Sequence, residues 1–331
     1  MNKPKLSALN LAPMRQGQTA KEAIYAMVRL AQYVESLDFE RFWIAEHHNM
    51  PHLVSSATQL LIGHTLANTD KIRVGSGGVM LPNHSPLQVA EQYGTLQTLY
   101  GKRVDLGLGR APGTDPLTAL ALRRGQRDVS QEFEQDILEL QRYFGDESVQ
   151  DQVRAYPALG LKLPLYILGS STESAFLAGR LGLPYAFAAH FAPRMLDMAV
   201  EIYRREFQPS AVLDKPYVIA CINATLAESD EEAQFLHSTV QQMFLNLVRG
   251  TPKAMQPPVP NIDSLWSPAE KMSAMQMLNA ALVGDVKSVK TQFIDLQSRI
   301  NADEIMLTNY IFDEDKQLNA YKLFKQMINE L

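Results

Sequence analysis

The chain of 331 residues carries 31 basic and 36 acidic side chains, a formal net charge of −5, with 46% hydrophobic and 20% charged residues. That is the balance of a globular protein with a large core, and without a basic excess or basic run it excludes nucleic acid or an anionic membrane surface as the main partner. The single cysteine, Cys221, excludes an internal disulfide and any cysteine-clustered metal site.

The N-terminus shows no signal-peptide core and no run of about 18 apolar residues occurs, so the chain is expected to be cytoplasmic. Apolar strand-like runs then fall in order at 6–11, 41–45, 71–75, 103–109, 163–169, 183–189, 216–225 and 303–308. Several are apolar throughout, such as Leu165-Tyr166-Ile167-Leu168, as expected of parallel strands covered on both faces. Helical periods lie between them. In the first, Ile24, Met27, Val28, Ala31, Val34 and Leu37 share one face, and Thr19 with Glu22 forms a capping-box pattern at its start. Pro86 opens the third helix, where a missing N–H costs little. Cys221 lies in the seventh strand, within Tyr217-Val218-Ile219-Ala220-Cys221-Ile222, and is read as a packing residue.

Eight strands alternating with helices predict a single (β/α)8 TIM barrel spanning 1–331, with insertions after strands four and seven; an open doubly wound sheet is the competing topology. The second insertion contains the proline-rich stretch 249–268, with Pro252, Pro257, Pro258, Pro260 and Pro268, read as a mobile loop over the barrel mouth.

In a barrel the chemistry sits at the carboxyl ends of the strands. Those ends carry Asn10, Glu46-His47-His48, Ser76-Gly77-Gly78, Arg110, Gly169-Ser170-Ser171 and His190. A histidine there can move protons near neutral pH or simply hydrogen-bond within the rim, and alternation lets only one of His47 and His48 face the site. His48 and His52 have a ligand-pair spacing, but Pro51 works against the helix that a metal site of that kind needs, and no metal is expected.

Gly77-Gly78 would let a flat ring approach the backbone, or make an ordinary turn. Gly107-x-Gly109 looks like a dinucleotide fingerprint, but Pro112 stands where the third glycine belongs. Arg110 can clamp a phosphate, and Gly169-Ser170-Ser171-Thr172-Glu173-Ser174 opens a helix whose amides suit an anion. Together these point to a phosphate-bearing cofactor, although the serines alone could be caps.

The stretches Trp43-Ile44-Ala45-Glu46-His47-His48, Gly75-Ser76-Gly77-Gly78-Val79-Met80-Leu81-Pro82-Asn83-His84, Ala90-Glu91-Gln92, Asp105-Leu106-Gly107-Leu108-Gly109-Arg110-Ala111-Pro112-Gly113 and Gly182-Leu183-Pro184 together resemble the bacterial luciferase-like, flavin-dependent monooxygenases. The resemblance covers nearly the whole chain, most strongly 9–125 and 166–191, and points to a single-component, alkanal-monooxygenase-like branch. It implies a barrel binding FMN, with His47 as the acid–base residue. Gly77 and Gly78 match a pair whose non-prolyl cis peptide touches the flavin ring in relatives. Arg110, Gly169, Ser170, Ser171 and Ser174 match the phosphate contacts. Ser170 replaces a glutamate of that pattern and Asn10 replaces an aspartate; Asn10 and His190 are assigned to the substrate pocket.

The implied chemistry is oxygen activation by reduced FMN through a flavin C4a-peroxide, with attack on a small apolar, aldehyde-like substrate. The implied partners are a separate NAD(P)H flavin reductase and a second subunit of a homodimer. An F420-dependent hydride-transfer enzyme and a non-catalytic flavin-binding protein are the alternatives.

Overall fold

The computed structural model describes residues 3–123 and 132–331; Gly125, where the first stretch of resemblance ends, lies outside them. In chain order the first half holds β1 (Lys5–Asn10), α1 (Ala20–Ser36), β2 (Arg41–Ile44), α2 (Thr58–Ala67), β3 (Arg73–Met80), α3 (Pro86–Tyr100), β4 (Val104–Gly109), α4 (Pro116–Leu122), α5 (Phe133–Phe144) and β5 (Leu165–Gly169). The second half holds α6 (Thr172–Leu181), β6 (Tyr185–Phe187), α7 (Leu196–Glu206), β7 (Val218–Leu226), α8 (Asp230–Val248), α9 (Pro268–Met277), β8 (Leu282–Gly284), α10 (Val286–Ile300), β9 (Glu304–Thr308) and α11 (Glu314–Asn329).

Strands β1 to β7 pair in sequence and in parallel, and β9 closes the sheet between β7 and β1. The result is an eight-stranded closed barrel, the (β/α)8 fold read from the strand count. Strand β8 stands outside it, extending only the upper part of β7 through Ala224↔Leu282 and Leu226↔Gly284. The insertions lie where expected, α4 and α5 between β4 and β5, and α8, α9 and β8 between β7 and α10.

The helices dock because each keeps one apolar stripe. On α1 the buried side includes Met27, Val28, Ala31 and Val34, and the capping box forms: the Thr19 hydroxyl accepts from Glu22 N at 3.3 Å while Glu22 accepts from Thr19 N at 2.8 Å. Pro86 sits at the first position of α3. The main core fills the layer between barrel and helices, and a smaller cluster of Leu9, Trp43, Tyr166, Ile219, Cys221 and Met306 fills the barrel interior. Cys221 is buried there as a packing residue.

Strand β3 is a correction: it does not end at Gly75 but runs to Met80 with a register shift between Ser76 and Val79. Its glycines permit that continuation. A Cβ on Gly75 would collide with the Asp105 carbonyl, and one on Gly107 with the Ser76 carbonyl, so β3 and β4 approach too closely for side chains.

The proline-rich stretch is also more tethered than its composition implies. Met255 N donates to Met14 O and Met255 O accepts from Gln16 N, both at 2.8 Å. Gln242 Nε2 donates to Pro257 O at 2.9 Å and Val259 N to Ser238 Oγ at 2.7 Å. Met255 and Trp266 are buried in a satellite cluster with Phe244 and Tyr310. Among the described residues, no helix is long and apolar enough to cross a membrane.

Candidate active site

Beyond β2 the chain continues as Ala45-Glu46-His47-His48. Trp43 and Ala45 belong to the barrel-interior cluster, so His47 continues the inward side and Glu46 and His48 the outward one. The His47 Nδ1 lies 3.3 Å from the Gly113 carbonyl. A carbonyl only accepts, so Nδ1 carries the proton and Nε2 is left as an acceptor in the neutral ring. Burial holds the His47 pKa below its ordinary value, against the pull of that carbonyl and of Glu46. The result is a half-buried imidazole, neutral near pH 7, with one nitrogen ready to take a proton.

On the outward side, Glu46 is fully buried and its Oε1 accepts from His48 Nε2 at 3.0 Å and His84 Nε2 at 2.7 Å. Its Oε2 accepts from Met80 N at 3.4 Å. Burial alone would raise this carboxyl, but the two imidazole hydrogen bonds outweigh it and its pKa lies below the usual range. One side-chain atom from each of Glu46, His48 and His84 lies within 4.8 Å of the other two. At hydrogen-bond distances they form a clasp that joins the ends of β2 and β3 to the start of α3. The histidine that joins His48 is therefore His84, while His52 lies elsewhere. Glu46 and His84 were missed as partners in the sequence; the signal was Pro82-Asn83-His84 directly after the glycine-rich strand.

The peptide between Gly77 and Gly78 is cis. A Cβ on Gly77 would come within 2.6 Å of Leu9 Cδ1, and one on Gly78 within 2.8 Å of the Gly107 carbonyl. The Gly78 contact is with backbone and cannot give way, so packing alone requires that glycine, whereas at Gly77 the Leu9 side chain could shift.

Arg110 follows β4 and is exposed, its guanidinium paired with Glu173 in the first turn of α6. Ser171 is the N-cap of α6, yet its side chain makes no capping bond, which leaves its hydroxyl and the first amides of the helix free for an anion. Ser170 is exposed beside it. Ser174 is turned the other way: its Oγ donates to the Ser171 carbonyl at 2.9 Å and lies 3.1 Å from Tyr185 Oη. It packs over Gly169, where any Cβ would collide with its hydroxyl. Arg110, Ser170 and Ser171 are thus brought to one end of the β4–β5 edge, with Ser174 beneath them.

Asn10 has a local role. Its Oδ1 accepts from Ala12 N at 2.6 Å, stabilising a turn in which Ala12 has φ 49°, and it lies on the side opposite inward-facing Leu9. His190 is brought to the mouth. Burial drives its pKa down to about 4, helped by the nearby His47, and its Nδ1 is buried without a hydrogen-bond partner.

The fold is a closed parallel (β/α)8 barrel with its polar candidate residues at the carboxyl end, and comparison with known proteins gives the family. Residues 7–300 match the family described as luciferase-like monooxygenase, and the chain belongs to it. A luciferase-like monooxygenase of Escherichia coli strain K12 is 46% identical over 325 residues, covering 98% of this chain and 97% of that protein. The structure of apo-MsnO8 superposes with a TM-score of 0.88 at 30% identity, covering 98% of each chain. The oxygenating constituent of 3,6-diketocamphane monooxygenase from Pseudomonas putida, solved in complex with FMN, shares the fold at 14% identity and a TM-score of 0.74, covering 99% of this chain and 98% of that one. So does an F420-dependent secondary alcohol dehydrogenase, at 17% identity and a TM-score of 0.68, covering 99% of each.

Proposed function

We propose that this chain is a monooxygenase that uses reduced FMN and O2 to oxidise a small, largely apolar, aldehyde-like substrate. The reading rests on one juxtaposition: a half-buried, neutral His47 beyond the end of β2, on the same barrel face as a guanidinium beside an uncapped helix start after β4 and β5. Guanidinium, helix amides and hydroxyls are the donor set that suits a phosphate ester, so the residues present fit FMN. Arg110, Ser170 and Ser171 would hold its phosphate, with Gly169 allowing Ser174 to pack beneath them and Gly77-Gly78 lying alongside the ring.

Reduced flavin, when bound, supplies the electrons for oxygen activation. The chain's own contribution is binding, exclusion of water by the barrel mouth, and proton transfer at His47 Nε2. The Glu46–His48–His84 clasp keeps the segment that carries His47 in register with β3. Exchange of reduced FMN implies a separate NAD(P)H flavin reductase, and a homodimer and a cytoplasmic location belong to the same reading.

The second reading is F420-dependent hydride transfer, supported by the related fold of an F420-dependent dehydrogenase. Anaerobic titration with FMN, FMNH2 and F420 separates them. The FMN reading expects FMNH2 to bind more tightly than FMN and F420 to bind weakly; preference for F420 would replace it with the second.

A further inference from the structure

The connections that follow β2 and β3 close on one short segment between β4 and α4, Pro112-Gly113-Thr114-Asp115. Asn83, after β3, donates from Nδ2 to the Pro112 carbonyl at 2.8 Å. His47, after β2, donates from Nδ1 to the Gly113 carbonyl at 3.3 Å. Thr114 donates from Oγ1 to the His48 carbonyl at 2.9 Å, and Asn49 donates from Nδ2 to Asp115 Oδ2 at 3.0 Å.

Gly113 is where the segment turns. Its φ of 65° lies in the left-handed region, and a Cβ there would come within 2.9 Å of Met80 Cγ and 3.0 Å of the Glu46 carbonyl. The glycine has no side chain to anchor it, so the direction of its carbonyl is set by what holds the peptides on either side. Asn83 fixes the peptide before it and Thr114 anchors the chain after it. Among the described side chains that grip the segment, Asn83 is the buried one, while His47 and Thr114 are half-buried and Asn49 is exposed.

The orientation of the Asn83 amide follows from these contacts, because turning its oxygen toward Pro112 would set two acceptors face to face. Its Oδ1 is then buried without a donor. A residue kept for packing alone has no reason to carry that penalty, which an apolar side chain of similar shape would avoid.

The consequence falls on His47. In water a neutral histidine favours the proton on Nε2, and which nitrogen carries it in a protein is set by the hydrogen bond the other makes. The Gly113 carbonyl is the acceptor that draws the proton to Nδ1. With that carbonyl displaced, Nε2 would take the proton and could no longer accept one.

We propose that Asn83 is a positioning residue for proton transfer: its bond to Pro112 holds the Gly113 carbonyl against His47 Nδ1 and so keeps Nε2 free as the proton acceptor. This rests on His47 being the acid–base residue of the proposed reaction, and it names a residue on a different strand connection on which that role depends.

The test reads the tautomer by nitrogen NMR of ring-labelled, flavin-free protein at about pH 8, above the ordinary histidine range, with the His47 signals identified by their loss in His47→Gln. The proposal expects Nδ1–H to dominate in the wild type. Asn83→Leu, close in shape but without a donor, should lower the ratio of Nδ1–H to Nε2–H by about five-fold or more, the ratio that one hydrogen bond supports. Thr114→Val loosens the other side of the segment and should shift the ratio in the same direction by less; it carries the test should Asn83→Leu not fold. Urea denaturation in parallel separates the roles, because a purely structural Asn83 would cost stability and leave the ratio unchanged. An unchanged ratio in folded Asn83→Leu, or in Thr114→Val where that variant stands alone, would overturn the proposal, as would a wild type dominated by Nε2–H. Flavin titration of the wild type keeps the two ideas apart: failure to bind FMNH2 would count against the monooxygenase, while the tautomer ratio would still be read.

Discussion

The two ends of this barrel handle polar groups in opposite ways. At the amino end, Arg41 from β2 is buried between Glu304 of β9 and Asp105 of β4, with contacts at 2.7 and 2.8 Å, and also donates to Tyr166 Oη at 2.7 Å. Trp43 Nε1 donates to Asp105 at 3.1 Å, Arg73 Nε donates to it at 3.0 Å, and Tyr217 Oη donates to Glu304 at 2.7 Å. Arg41, Asp105 and Glu304 are buried and mutually paired, with partly exposed Arg73 closing the network, and the carboxylates raise the Arg41 pKa despite the opposing effect of burial. At the carboxyl end, His52 Nδ1, His190 Nδ1 and Asn83 Oδ1 are buried without partners, and Arg110 and Ser170 face solvent. The contrast shows which end is built for stability and which keeps binding capacity in reserve.

The largest expected effect is at the amino end. Arg41→Ala leaves Glu304 and Asp105 short of their shared cation, and removing one partner of a buried ion pair costs about 3–5 kcal/mol. Urea denaturation should show that loss; a change under 1 kcal/mol would mean the network is dispensable. His47→Ala should do the reverse, folding and binding flavin while turnover drops by about 10²–10⁴-fold. His48→Ala should be milder in turnover, since its imidazole bonds to Glu46 on the other side of the strand, and the opposite ranking would reassign the inward face.

Arg110→Ala should weaken FMN relative to riboflavin by about 1.5–3 kcal/mol, the range for a hydrogen bond to a charged group, as read by fluorescence titration. Ser171→Ala should shift the same ratio by less. Equal losses for both flavins would move the phosphate away from Arg110.

A further effect, spread over the acid range, follows from pH. His237 on α8 is buried against Thr225 Oγ1 at 3.0 Å, and burial lowers its pKa to about 4. A histidine whose folded pKa is depressed stabilises the fold fully above its unfolded value of about 6.5, and that contribution is lost as pH falls towards 4. Stability should therefore fall below about pH 6.5 by up to about 1.4 kcal/mol per pH unit for this group, and His237→Gln should flatten that part of the profile.

Much of this organisation was legible in the sequence because it depends on periodicity. The eight barrel strands, both insertions and the capping box at Thr19 follow from local alternation and end signals. What escaped depends on contacts between distant segments. The run of glycines at 75–78 reads as a strand end, yet β3 continues because Gly107 on β4 makes room. His84 has no assigned role in the sequence, and only the fold brings it to Glu46, 38 positions away. Asn10 reads as a site residue because it ends a strand, but its side chain stabilises the following turn. The prolines at 252–260 read as an exposed loop, whereas the buried Met255 anchors the stretch to the β1 connection. Deleting 256–260 would consequently remove partners from Ser238, Thr239 and Gln242 on α8, and a modest loss of stability is expected where the composition alone suggests none.

The most direct test of the central claim is oxygen consumption after anaerobic enzyme, loaded in parallel with FMNH2 or with reduced F420, is mixed with aerated buffer in a stopped-flow cell. The account predicts that the FMNH2 complex consumes oxygen with flavin reoxidation kinetically distinct from that of free FMNH2, and that His47→Ala alters this time course. An FMNH2 time course identical to that of free flavin, with reduced F420 bound tightly and inert to oxygen, would contradict it.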